Sequence, residues 1–233
     1  GNTTFIDSSP SGHTLTINGH VRHRANWSKF GASSIQFDGT GDYLTIPSSQ
    51  SGPINSDFDF GTGAFTIDMW IRDDSAVTSE RFISGGTESD GASQQWFFGR
   101  YGGQSKLNFG IQHGSGYTEG GSSAITWNTG TWYHAAVVRP ENSEKVYYYW
   151  DGVAVGSTDI GTTSTAVNTG AYGIVIGARY YNQSITEQFN GHMDEIRVSK
   201  GIARWTSNFT PPERPYSDVL ATTGVLGDIF SVT

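Results

Sequence analysis

Phe189-Asn190-Gly191-His192-Met193-Asp194-Glu195-Ile196-Arg197-Val198-Ser199-Lys200-Gly201 carries more structural information than any other part of this chain. A turn-forming Asn-Gly leads into a strand in which Met193, Ile196 and Val198 are apolar and Asp194, Glu195, Arg197 and Ser199 are not. An acidic pair inside such a strand asks for a use. Paired carboxylates cleave glycosidic bonds only when both address the same sugar. Strict side-chain alternation sends neighbours Asp194 and Glu195 to opposite faces of a sheet. The pair is therefore expected to be non-catalytic, and Asp73-Asp74 has the same defect. Asp68 stands alone on its strand, and Asp57 and Asp59 fall in a loop.

Working outward, strand signals recur between turn residues, with no convincing amphipathic helix. Phe65 to Arg72 is the cleanest alternation, with Phe65, Ile67, Met69 and Ile71 on one face and Thr66, Asp68, Trp70 and Arg72 on the other. Lys145 to Trp150 meets Val153 to Ser157 across Asp151-Gly152, a two-residue hairpin signal. Alternation in Tyr147-Tyr148-Tyr149-Trp150 puts Tyr148 and Trp150 on one face and Tyr147 and Tyr149 on the other, one pair in the core and one covering the outer face. About eleven strands result, at the spacing of a sandwich. No internal repeat is visible, which argues against propellers and solenoids. After Lys200, Gly201 to Thr206 is expected to form a short helical turn, and Pro211-Pro212-Glu213-Arg214-Pro215 to leave the sheet in an extended conformation. These boundaries give a domain over residues 1–212 and a linker with one further strand, Asp228 to Val232, over 213–233.

Composition narrows the function classes. The 31 glycines and 13% aromatics favour sheets and tight turns. Charged residues make up only 15%, below the roughly 25% of an ordinary domain, so much of the surface is Ser, Thr, Asn, Gln and Gly, as in many extracellular and virion proteins. A net charge of −8 with no basic cluster argues against nucleic acid. The absence of cysteine excludes disulfides, thiolate metal sites and thiol catalysis. No apolar run has the length to span a membrane as a helix.

Five segments together resemble the laminin-G-like jelly roll of the concanavalin A-like lectin/glucanase superfamily. They are Ser34 to Pro47, Phe65 to Ile71, Trp132 to Arg139, Tyr149-Trp150-Asp151-Gly152, and Phe189 to Arg197. The stretch Ser199 to Pro212 is similar to copies in phage tail fibres and other surface proteins. The resemblance implies an all-β, antiparallel two-sheet sandwich and a non-catalytic module for cell-surface glycans, displayed on a virion or extracellular assembly. A structural fibre or decoration protein with neighbouring subunits as partners, self-association into a homo-oligomer included, is the competing expectation; a polysaccharide-acting hydrolase is a third. The resemblance further implies a structural calcium ion bound by Asp194 together with Asp38 or Asp42. It also implies an apolar strand ahead of Gly1 to Ser9 that this sequence does not supply. The edge beside His192 to Val198 is then expected to be covered by Asp228 to Val232 or by another subunit.

Sugar recognition needs aromatic faces for C–H groups and planar polar side chains for hydroxyls. Arg179-Tyr180-Tyr181-Asn182 supplies both on a loop, where binding residues concentrate. Trp96 with Arg100-Tyr101 is a second candidate and Trp70 with Arg72 a third. Against each stands core packing, the commoner use of Trp and Tyr in a sandwich.

Overall fold

The computed structural model describes residues 3–46, 56–75, 79–86, 95–100, 105–113, 116–169, 173–182, 184–216 and 228–232. In chain order the strands are β1 (Thr16–Asn18), β2 (Arg22–Ala25), β3 (Ser33–Asp38), β4 (Tyr43–Ile46), β5 (Phe65–Asp73), β6 (Glu80–Gly86), β7 (Gln95–Arg100), β8 (Leu107–His113) and β9 (Gly116–Gly121). They continue with β10 (Trp132–Arg139), β11 (Lys145–Trp150), β12 (Val153–Asp159), β13 (Ile174–Ile176), β14 (Arg179–Tyr181), β15 (Ser184–Thr186), β16 (Asn190–Lys200) and β17 (Asp228–Val232). A single 3-10 turn, Ser56–Phe58, is the one helical element among the described residues.

Two antiparallel sheets form a sandwich. The first runs β1-β4-β13-β6-β7-β8-β9 and the second β12-β11-β10-β5-β16-β3-β2, with β17 added beside β16. The alternation in β5 is realised as read: Phe65, Ile67, Met69 and Ile71 enter the core between the sheets, where Phe82, Trp96, Phe98, Phe109, Tyr148 and Val198 meet them. Sheets packed in this way bury one face each and leave the other to water.

Here the outer face of the second sheet is not left to water. Ala203, Trp205 and Phe209 pack over Ala136, Val138 and Tyr149. The Trp205 and Phe209 rings stack at 3.8 Å. The segment after β16 forms no helical turn; it crosses the sheet as an irregular strap, and Tyr216 at its described end is buried. Local chemistry explains the course. Thr66 Oγ1 donates to Ile202 O and accepts from Arg204 N, and Phe209 N donates to Gly152 O. The Asp151-Gly152 turn has positive φ at both residues (47° and 77°). A Cβ on Gly152 would stand 1.9 Å from Phe209 O, so glycine there serves both the turn and the approach of the strap.

The edge beside β16 is shared. β3 pairs with its first half, Asn190 to Met193, and β17 with Ile196 to Ser199. Of the two covers expected for this edge, the chain's own Asp228–Val232 occupies it.

A polar bridge ties the sheets at one end. Glu80 on β6 accepts Asn190 N–H from β16, and Arg100 on β7 pairs with Asp73 on β5. Burial, aided by the neighbouring Asp73 charge, pushes the Glu80 carboxyl up to about 8. A folded-state value above the ordinary 4.5 means that folding holds a proton which the unfolded chain releases. The associated stability is full below pH 4.5 and lost as pH rises through about 8. The urea midpoint of the protein is therefore expected to fall across that window. Glu80→Gln is expected to flatten the fall and to exceed the parent in stability above pH 8, which a denaturation series at several pH values checks.

Candidate functional site

β5 and β16 run side by side through the middle of the second sheet, and their pairing contains one irregularity. Asp194 opposes Trp70 and Arg197 opposes Asp68, so Glu195 and Ile196 together stand against Met69 alone. Glu195 adopts φ 52°. This is a β-bulge, an extra residue in the left-handed conformation that breaks side-chain parity. Met193 before it and Ile196 and Val198 after it all reach the core. The expectation that Asp194 and Glu195 face opposite sides is thereby corrected: both work on the outer side of the sheet.

Each carboxylate there holds a different piece of chain. Asp194 Oδ2 accepts the N–H groups of Lys29 (2.7 Å) and Phe30 (3.1 Å), and its Oδ1 accepts Glu195 N–H (3.1 Å). Glu195 Oε2 accepts Tyr216 N–H at 2.5 Å. Burial raises both carboxyls, Asp194 to about 6 against its three N–H donors, and Glu195 to about 7 with help from the Asp194 charge. Below them lies Asp68, which is not solitary as its strand suggested. Arg197 meets it in a two-pronged pair (3.1 and 3.0 Å), Tyr216 donates its hydroxyl, and His134 Nε2 lies 3.3 Å away. Burial alone would raise the Asp68 carboxyl; Arg197 and then His134 overcome it and hold the group well below the ordinary carboxylate range. The Tyr216 ring completes the latch beneath Arg197 at 3.8 Å.

Between the two tethered pieces is a cleft of about 470 Å³. Lys29 and Phe30 form one wall, Thr210 to Glu213 of the strap another, with Trp70, Trp132 and Asp151 between them. Trp70 is almost fully buried, and its Nε1 has no hydrogen-bond partner among the described residues. Lys29 Nζ sits 3.8 Å over its ring and Phe30 meets it edge-on. Trp132 remains partly exposed, while Asp151 and Glu213 are exposed. Beyond Trp132 the ring contacts continue through the buried His192 to Trp27, which is 43% exposed and covered on one side by Arg72. Trp70 was visible in the sequence. Lys29, Phe30, Trp132, Asp151 and Glu213 were not, because the Pro-Pro run read as leaving the sheet when it lies across it.

The other sequence candidates are dispersed. Trp96 is fully buried, donates to Phe58 O and packs against Phe60, so it is a core residue. Arg100 is occupied by Asp73 and stacks on Trp127, and Tyr101 lies outside the described residues. Arg179, Tyr180, Tyr181 and Asn182 do come together, as the β14–β15 hairpin on the outer face of the first sheet. Arg179 is buried there between Phe97 and Tyr181, with Gln95 Oε1 at 3.1 Å. Tyr181 and Asn182 are exposed, on the opposite side of the sandwich from the cleft. The three proposed calcium ligands do not converge. Asp38 and Asp42 cluster with His20, their ligand atoms within 4.8 Å of one another. Asp194 is outside that cluster and accepts three N–H groups, while Asp42 accepts those of His20 and Asp38 and Asp38 that of Thr40.

A sequence profile described as the concanavalin A-like lectin/glucanases superfamily, laminin-G type, matches residues 38–204. The chain belongs to this superfamily. Solved structures share its fold at low identity. Domain 4 of AbnA, an extracellular arabinanase from Geobacillus stearothermophilus in complex with arabinotriose, is 18% identical with a TM-score of 0.55, covering 82% of each chain. The CBM40 of Ruminococcus gnavus IT-sialidase, bound to α2,3-sialyllactose, is 11% identical with a TM-score of 0.57, covering 74% of this chain and 91% of that one. The botulinum neurotoxin DC binding domain in complex with SialylT is 12% identical with a TM-score of 0.57, covering 92% of this chain but 46% of that one. No curated protein sequence matches. Within the superfamily frame, the strap runs from the end of the matched segment to Tyr216, while Asp68, Glu195 and Arg197, which latch it, lie inside that segment.

Arg197→Ala is expected to destabilise the protein by roughly 3–5 kcal/mol, because Asp68 would stay buried without its partner. Urea denaturation checks this, and a loss below about 1 kcal/mol, the range of an exposed pair, would show that the latch carries little.

Proposed function

We propose that this chain is a non-catalytic carbohydrate-binding module of an extracellular or virion surface assembly, and that the cleft beside Trp132 is its glycan site. The cleft carries the proposal: one concave surface combines a partly exposed indole with an ammonium and two carboxylates. That is the pairing of apolar face and few directed polar groups that sugar binding needs. Trp70 adds a buried donor without a partner among the described residues. The relatives solved with arabinotriose or sialyllactose lend support through fold alone. Binding without cleavage is favoured because the carboxyls that burial pushes upward, Asp73, Glu80, Asp194 and Glu195, each accept a backbone N–H and are not among the residues that line the cleft. The hairpin at Tyr181 is not required for this reading, since Arg179 is spent on holding it to the sheet.

A glycan array followed by calorimetry on the best ligand tests the proposal. Trp132→Ala is expected to lower affinity at least tenfold, while Tyr181→Ala leaves it unchanged. The reverse pattern would move the site to the hairpin, and no binding across a broad array would favour the assembly role. For calcium, we propose Asp38 and Asp42 as the supporting pair and set Asp194 aside. Hard cations take six to eight oxygens, so backbone carbonyls would have to complete the set. Calcium is expected to raise the melting temperature of the parent and not of Asp38→Asn; a melting temperature indifferent to calcium and chelator would remove the ion from the account.

A further inference from the structure

Resting on the glycan reading of the cleft, we infer that its ligand is a neutral sugar and that acidic glycans are rejected. The inference comes from which charges in and around the cleft are free to meet a ligand. Recognition of a sugar carboxylate calls for an available guanidinium, ammonium or row of backbone N–H groups. The cleft's own cation, Lys29, is held with its Nζ 3.8 Å over the Trp70 ring. On the two central strands the guanidiniums are committed, Arg72 to Asp74 and Gly130 O and Arg197 to Asp68, and Arg214, exposed beside Glu213, is not among the residues that line the cleft. The N–H groups of Lys29 and Phe30, which form a ready anion nest, already face Asp194.

Negative charge, by contrast, is presented openly. Asp151 and Glu213 line the cleft, are exposed, and form no ion pair among the described residues. The Asp151 carboxylate accepts His134 N–H through Oδ1, which fixes it in place at the turn. One cation against two carboxylates gives a lining of net −1 on a chain of net −8. Like charge at a partly desolvated surface penalises an anionic ligand, whereas carboxylates accept readily from sugar hydroxyls. The geometry thus favours a polyhydroxylated, uncharged ring lying on Trp132 with its hydroxyls toward Asp151 and Glu213.

An array of matched pairs tests this, each neutral oligosaccharide printed beside its sialylated or uronate-bearing form, with lactose and α2,3-sialyllactose followed up by calorimetry. Neutral members are expected to bind at least tenfold more tightly than their acidic counterparts. Glu213→Lys is expected to narrow or invert that ratio, and Glu213→Gln to move it partway. Acidic members binding as well as or better than neutral ones would overturn the neutral-sugar inference and leave the glycan site standing. Binding to no glycan of either kind would overturn the glycan reading and this inference with it. A ratio unmoved by Glu213→Lys would overturn the assignment of the selectivity to this cleft.

Discussion

Everything on the outer face of the second sheet depends on the bulge at Glu195. In an uninterrupted strand Met193, Glu195, Arg197 and Ser199 would share one face, and Ile196 and Val198 the other. Both apolar residues would then point away from the core and an arginine into it. The extra residue restores the order, at the cost of a left-handed conformation for a non-glycine, a strain on the order of 1–3 kcal/mol. It also turns an acidic dipeptide into two separate tethers on one surface. Asp194 ties the loop with Lys29 and Phe30, and Glu195 ties the strap at Tyr216. The cleft is the space those two ties hold open.

Much of the scaffold was legible because its causes are local. Alternation from Phe65 to Arg72 settled the central strand, Asp151-Gly152 settled a hairpin, and Tyr148 and Trp150 share a face as their spacing requires, the structure making it the inner one. Strands such as Arg22–Ala25 and Gly116–Gly121 were missed because they carry little apolar signal: one is an exposed edge and the other glycine-rich. The bulge itself was written in the sequence. Apolar residues at 193, 196 and 198 break a period of two, and reading that break as a bulge would have placed both carboxylates correctly. The cleft was less accessible. It joins Lys29, Trp132, Asp151 and Glu213 across 184 positions of chain, and no local rule connects them.

The sandwich presents two unlike outer surfaces. On the first sheet Arg179 is sealed between Phe97 and Tyr181, an arrangement that packs a hairpin and leaves one phenol outside. On the second, the strap hides the apolar patch over Ala136, Val138 and Tyr149 but leaves Trp132 and Trp27 accessible beside it. A superfamily fold that serves many roles has in this chain been given a third layer, and the function proposed for it lies where that layer stops.

The most direct test of this account is amide hydrogen exchange, resolved by residue, in variants at the bulge. In Asp194→Ala the amides of Lys29 and Phe30 are expected to lose protection while that of Tyr216 keeps it. In Glu195→Ala the expected pattern is the opposite. Protection at all three amides unchanged in both variants would contradict the claim that these two carboxylates hold the walls of the cleft.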